Sequence, residues 1–229
     1  MLKSLFKDFT NIIVFDIETT GTDSRKDEII EIAMLRVVNE QGAPVIADEY
    51  NVFLALSHGK KLPAIITEIT GITGQQLHDE GLPKGEVCEK IVEMLSCQNL
   101  LLAAYNAQFD LSFLFHFLNS FDKAGVLNNA KVLDALTIYR DRRPYPHKLS
   151  DAANMYSLTS DGAHRAYADT IVTFDLLCEM GKESDDLFRY VNLFGYNPKY
   201  GVSGSKISSV RYLPQGYGRV KKLYEEGLS

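Results

Sequence analysis

The chain has no tryptophan and only three cysteines among 229 residues, and it contains no long apolar run. Cys88, Cys97 and Cys178 stand in no C-x-x-C or zinc-finger spacing, so neither a disulfide framework nor a structural zinc site is expected. An odd, scattered set fits a reducing interior with buried, unreactive thiols. No stretch approaches the roughly 18–20 apolar residues of a membrane span. The first eleven residues carry Lys3 and Lys7 but no long apolar segment or small-residue cleavage site, which argues against a signal peptide. A cytoplasmic protein without membrane association is expected. Positive charge is also short: 24 Lys and Arg stand against 30 Asp and Glu, a net −6. That balance alone does not announce a nucleic-acid binder, although an acidic metal site would itself contribute to it. No tandem repeat or low-complexity tract is evident.

What is present is an ordinary globular composition, 45% hydrophobic and 24% charged, with enough apolar material for one sizeable core. Leu2, Leu5, Phe6 and Phe9 have helical spacing and predict a short amphipathic helix ahead of the first strand. The stretch Val14-Phe15-Asp16-Ile17-Glu18-Thr19-Thr20-Gly21 organises the rest. Its apolar run has the length and β-branched content of a buried strand. Side chains alternate along a strand, so Asp16 and Glu18 point to one face. Two adjacent carboxylates at the end of a central strand repel each other and lose hydration. A divalent cation offsets that cost, and hard oxygen ligands suit Mg²⁺ or Mn²⁺ over zinc. An ionised, idle pair at an exposed strand end is the alternative.

Further strands are predicted over 29–38 and 45–56, giving an antiparallel meander with the first. Glu31 lies inside the second strand, either as another metal ligand or as a hydrogen-bonded structural carboxylate. Short helices are predicted over 64–69 and after Thr73, a candidate N-cap, and a longer one over 83–96. A strand over 100–104 leads into a helix over 107–119. A strand over 130–134 precedes a short helix and a basic loop over 140–148. Helices over 149–156 and 163–180 follow. The sum is an α/β fold, a mixed sheet with helices on both faces. Beyond residue 181 the character changes, and residues 196–218 are rich in Gly, Ser, Tyr and Pro. A short helix over 183–194 and a strand over 207–213 are expected there. The chain therefore divides into residues 1–182 and a C-terminal appendage, 183–229.

Asp110 stands at the start of the helix that follows the fourth strand, where capping or solvation is the bland reading. His164 precedes Asp169 by five residues. On one helix that separation rotates by roughly 140°, so both reach one site only if His164 lies before the helix. Asp16, Glu18, Asp110 and Asp169 together form the inventory of a two-metal site acting on a phosphodiester, and His164 then becomes a candidate general base.

The segments FDIETTG, AYNAQFD and HRAYAD resemble the three exonuclease motifs of the DnaQ-like family, in the DEDD subgroup with His in the third motif. EITGIT and KLSDAANMY also sit where relatives have similar sequence. The resemblance spans roughly residues 11–180. It implies a ribonuclease-H-like fold with a five-stranded mixed sheet, and release of 5′-mononucleotides from a 3′ end with two Mg²⁺ or Mn²⁺ ions. It implies that Asp16, Glu18 and Asp169 bind one ion, that Asp16 and Asp110 hold the second, and that His164 is the base. Thr19, Asn106 and Phe109 would contact the substrate. Relatives commonly carry His-Asn where this chain has Tyr105-Asn106, so altered packing or substrate contact is expected there.

The implied partner is a single-stranded DNA 3′ end or a frayed primer terminus, in proofreading or repair, with a DNA polymerase subunit as a second partner. Two alternatives stay open: an RNA-trimming enzyme of the same superfamily and a catalytically silent binding module. Cations for a polyanion come from two segments. Residues 131–148 carry five Lys/Arg against two Asp, a local net of +3. Residues 196–229 carry six Lys/Arg against two Glu, net +4, interleaved with Tyr196, Tyr200, Tyr212 and Tyr217. Such rings can stack on single-stranded bases, so the tail is expected to contact the strand or to dock a polymerase subunit.

Overall fold

A computed structural model describes residues 2–159, 164–216 and 221–226. The chain opens with a short 3₁₀ turn, Leu5–Lys7, in place of the predicted helix, and it buries Leu2, Leu5 and Phe9. Three strands follow as an antiparallel meander: β1 (Asn11–Thr19), β2 (Ile29–Glu40) and β3 (Ala43–Phe53). Helices α1 (Ala64–Thr70), α2 (Gly74–Asp79) and α3 (Lys84–Leu95) come next. Thr73 caps α2 as expected, its side chain accepting the Gln76 N–H. Strand β4 (Leu100–Ala104), helix α4 (Ala107–Asn119), strand β5 (Lys131–Asp134) and helix α5 (Ala135–Arg142) form a βαβα run, followed by α6 (Leu149–Met155) and α7 (Ala166–Glu183).

The main sheet is five-stranded, ordered β3-β2-β1-β4-β5, with β2 antiparallel to its neighbours and β1, β4 and β5 parallel. It is the mixed sheet with flanking helices that the pattern predicts. Alternation along β1 assigns its two faces. Ile12 and Val14 pack in one core with residues of α5 to α7, among them Tyr139 and Leu176. Ile13, Phe15 and Ile17 pack in the other with residues of α3 and α4, among them Ile91 and Leu114. Asp16 and Glu18 continue the parity of Ile12 and Val14, so they emerge toward α7. The carboxyl ends of the parallel strands share one edge of the sheet, where open α/β folds bind ligands.

Three local expectations are corrected. The predicted basic loop over 140–148 begins as the last turn of α5, and its three arginines are already engaged. The Arg142 side chain is buried, pairs with Asp186 and donates to the backbone carbonyls of Met180 and Ser184. Arg143 binds Glu183 through two 3.0 Å hydrogen bonds, and Arg140 donates to the Gly195 carbonyl. The predicted helix over 183–194 is the end of α7, a 3₁₀ turn (Leu187–Tyr190) and the start of strand β6 (Leu193–Tyr196). The last strand, β7, is shorter than expected, Arg211–Pro214, and pairs in parallel with β6. The start of the helix expected over 163–180, together with Tyr217 and Arg219, lies outside the described residues.

The segment after α7 contributes to both cores, with Leu187, Tyr190 and Leu193 on one side and Phe194 on the other. Asn192 binds Val132 in both directions, donating its backbone N–H to the Val132 carbonyl and accepting the Val132 N–H on its side chain. That pairing covers the outer edge of β5, an exposed row of unpaired backbone groups in an uncovered sheet.

Candidate active site

Asp16, Glu18 and Asp169 converge. Each offers one carboxylate oxygen, and the three oxygens lie within 4.8 Å of one another. The first two come from β1, where a register shift against β2 between Glu18 and Thr19 ends the regular pairing. Asp169 comes from the first turn of α7. Asp110 approaches from the first turn of α4, is buried, and accepts hydrogen bonds from the backbone N–H groups of Ile17 and of its own residue. It lies outside the three-oxygen cluster but close enough to Asp16 to be the largest charged influence on it.

Every carboxyl here is held above its ordinary range. Burial is the first cause at Asp16, followed by the charges of Asp110, Asp169 and Glu18. Burial and then Asp169 raise Glu18 to about 8, against a smaller opposing effect of Arg165. Burial raises Asp110 and Asp169 as well, and His164 opposes it at Asp169. Four acids that resist ionisation together form a site that gains by taking up positive charge. The donor set is all hard oxygen, which fits Mg²⁺ or Mn²⁺.

His164 lies just before α7, in the left-handed region at φ +63°, and its side chain is exposed. Its backbone N–H donates to the Asp169 carboxylate. The residue thus sits off the helix, the condition under which the five-residue spacing brings both side chains to one site.

Of the residues assigned to substrate, Thr19 is buried and its hydroxyl donates to the Gly21 carbonyl at 2.6 Å. Gly21 has a steric reason to be glycine: a Cβ there would meet the Asp27 carboxylate at 2.4 Å. Asn106 is exposed at φ +65°, and Phe109 is half-buried against Phe113, ring centroids 5.0 Å apart. Tyr105 turns inward, its hydroxyl donating to the His147 carbonyl at 2.9 Å, so the departure at this position is one of packing.

Two residues that build the site were not assigned to it from the sequence. Glu31, left open between ligand and structural roles, is the structural kind. It is buried, accepts two hydrogen bonds from Arg165, and takes the Ala166 N–H at the start of α7. Asp134 is buried at the end of β5 and caps two helices. It accepts from Leu136 and Thr137 at the start of α5, and from the backbone N–H groups of Asn106 and Ala107 at the start of α4. An acid immediately before a short predicted helix was the available signal for the first cap. The second spans 28 residues and had none.

Residues 13–177 match the RNase_T exonuclease family model. The chain belongs to that exonuclease family. It is 32% identical over 174 residues to a PolC-type DNA polymerase III of Caldanaerobacter subterraneus subsp. tengcongensis, a match covering 73% of this chain and 11% of that protein. It is 33% identical over 167 residues to the 3′-5′ exonuclease DinG of Bacillus subtilis, covering 70% of this chain and 16% of the relative. This chain therefore spans only a small part of these relatives' length. The fold is that of exonuclease I. An E. coli exonuclease I–ssDNA complex superposes with a TM-score of 0.70 at 18% identity, over 80% of this chain and 42% of the other. Exonuclease I from Methylocaldum szegediense superposes with a TM-score of 0.67 at 24% identity, over 79% and 42%. The five-stranded mixed sheet is thus the ribonuclease-H-like one that the motifs imply.

Proposed function

We propose that this domain is a metal-dependent 3′→5′ exonuclease of the DEDDh type that removes nucleoside 5′-monophosphates from DNA ends. The observation that carries the reading is the convergence of Asp16, Glu18 and Asp169 within 4.8 Å, with Asp110 beside them, in a chain of the exonuclease family. Asp16, Glu18 and Asp169 would hold one Mg²⁺ or Mn²⁺, and Asp16 with Asp110 a second. When bound, such ions supply charge neutralisation and Lewis acidity at a phosphodiester. His164 accepts a proton from the attacking water at its imidazole, an exposed base beside Asp169. The water oxygen bonds to phosphorus as the bond to the O3′ of the shortened strand breaks; that O3′ takes a proton from solvent, and the terminal nucleotide leaves as its 5′-monophosphate. Phe109 supports the terminal base or sugar, and Thr19 and Asn106 shape the backbone on which the nucleotide rests.

A DNA substrate is favoured because relatives include a DNA polymerase and the fold neighbour is an ssDNA complex. Work at a frayed primer terminus beside a polymerase, in proofreading or repair, goes with the same relatives. A cytoplasmic setting goes with the three free thiols. Among the described residues no helix is long and apolar enough to cross a membrane.

The test is a time course on 5′-labelled single-stranded DNA and on its RNA counterpart, with Mg²⁺, Mn²⁺ or EDTA. A metal-dependent ladder that shortens from the 3′ end, faster on DNA, is expected. A faster RNA ladder would move the substrate to RNA. Absence of any ladder, with strand binding intact, would overturn the enzymatic reading in favour of a silent binding module.

A further inference from the structure

One stripe of α4 is only partly covered by the core, with Phe113 buried beneath it and Phe109 and Phe117 half-buried. Phe109, Ser112, Phe113, His116, Phe117 and Ser120, the i, i+3, i+4, i+7, i+8 and i+11 positions of one helical stripe, line two adjoining clefts of about 530 and 320 Å³. Both are of the size that takes small ligands. They share Ser24, Arg25, Lys26 and Phe113, so they form one groove. Phe109, at its head, precedes Asp110 in the first turn of α4, and the groove follows the helix for eleven residues, roughly 16 Å.

The groove has two walls. One is the loop after β1, residues 22–28, fixed to α4 by a 2.7 Å hydrogen bond between the Ser24 and Ser112 hydroxyls. The other comes from the C-terminal segment. Gln108 donates to the Ser205 carbonyl at 2.7 Å, and Tyr212 donates its hydroxyl to Gln108 at 2.5 Å. Tyr212 also accepts the Ile207 N–H at 2.9 Å, which closes the strap on itself. Arg25 bridges the walls, donating to the Ser205 hydroxyl at 3.2 Å.

The lining chemistry is that of a strand backbone with bases. The half-buried Phe109 and Phe117 offer ring surface, serine hydroxyls and the Gln108 amide offer hydrogen bonds, and four cations, Arg25, Lys26, Lys60 and Lys84, face three carboxylates. Lys26 pairs with Asp23, and Lys60 and Lys84 both pair with Glu28. Arg25 makes no ion pair among the described residues and is exposed, so its charge remains for a ligand. We infer that this groove holds the sugar–phosphate backbone of a single strand on the 5′ side of the bond to be cut, and that residues 203–205 of the C-terminal segment are its second wall. The inference rests on the exonuclease reading for the strand's direction.

The test is binding of labelled single-stranded DNA and RNA 12-mers of one sequence, by fluorescence anisotropy in EDTA, so that cleavage plays no part. Arg25→Glu is expected to weaken DNA binding at least tenfold at about 50 mM salt and to lower the salt slope by roughly one. Ser205→Glu, which sets an anion in the opposite wall, is expected to do the same. Lys7→Glu, an equal charge change on an exposed residue away from the groove, is expected to leave affinity unchanged. Melting temperatures confirm that each variant folds. Arg25→Glu binding as tightly as the unaltered protein would overturn the groove. Loss at Arg25 without loss at Ser205 would overturn the second wall. A drop with RNA alone would make RNA the strand. Failure of the exonuclease reading is separate: nucleotide release with Mn²⁺ would be missing while the Arg25 effect on binding persisted.

Discussion

Arg165 lies over Glu31 in a two-pronged ion pair, with Nε and Nη2 at 3.1 and 2.9 Å from the two carboxylate oxygens. Glu31 stands directly opposite Glu18 across the β1–β2 ladder. Like charges opposite each other on a sheet are unfavourable, and Arg165 offsets this while Glu31 also takes the Ala166 N–H. The pair therefore fixes the start of α7, which carries Asp169, against the strand that carries Glu18. Arg165→Ala leaves a buried carboxylate unpaired and is expected to cost roughly 3 kcal/mol, the lower end for a buried pair because Arg165 is 38% exposed. Mn²⁺ binding should weaken with it. Glu31→Gln keeps an acceptor for Ala166 and should cost less. Urea denaturation and calorimetric titration read both effects, and unchanged metal affinity in Arg165→Ala would separate the pair from the site.

Asp134 makes a similar point about buried acids. Its carboxylate serves five donors at the starts of α4 and α5. Asp134→Ala removes two caps at once and strands buried N–H groups, a loss of roughly 3 kcal/mol. Because α4 carries Asp110, nucleotide release should fall as well. Asp134→Asn, with one acceptor oxygen left, should fall between. Equal stability of the alanine variant in urea would refute the double cap.

Strands, helices and the acidic pair were legible where the signal was local. The apolar run over 100–104 and the helix over 107–119 coincide with β4 and α4. The alternation of Asp16 and Glu18 foretold a shared face because a strand has a fixed period of two. What the sequence hid was long-range pairing. The arginines of 140–143 read as a free basic patch, yet Glu183 and Asp186, some forty residues later, engage two of them. Glu31 looked like either a ligand or a structural acid because only Arg165, 134 residues away, decides it. The segment after α7 offered few periodic apolar residues, and β6 and β7 form through pairing with each other rather than through propensity.

The raised carboxyls make a prediction about pH. Glu18 titrates near 8 in the folded protein, above its ordinary value of 4.5. A folded acid with a raised pKa binds protons that the unfolded chain has released, so its contribution to stability is full below about pH 4.5 and is lost as pH rises through about 8. Asp16, Asp110 and Asp169 act in the same direction. Metal-free protein should therefore melt lower at pH 8 than at pH 5, by roughly 5 °C. Mg²⁺ should restore most of that loss at pH 8 and do little at pH 5, where protons occupy the carboxyls. A melting temperature that rises with pH in EDTA would contradict the repulsion assigned to this cluster.

The last prediction separates holding a metal from moving a proton. Asp16 is flanked by Asp110, Asp169 and Glu18, so its removal takes away the shared centre of the cluster. Asp16→Ala should lose both nucleotide release and Mn²⁺ binding. His164 lies outside the cluster of carboxylate oxygens and contacts Asp169 through its backbone N–H, which an alanine retains. His164→Ala should keep Mn²⁺ affinity within about threefold while its rate falls by roughly 10²–10⁴, the usual share of a general base. Equal metal loss in both variants would make His164 a structural support of the site, because a base that only accepts a proton has no reason to change the affinity of its neighbours for an ion.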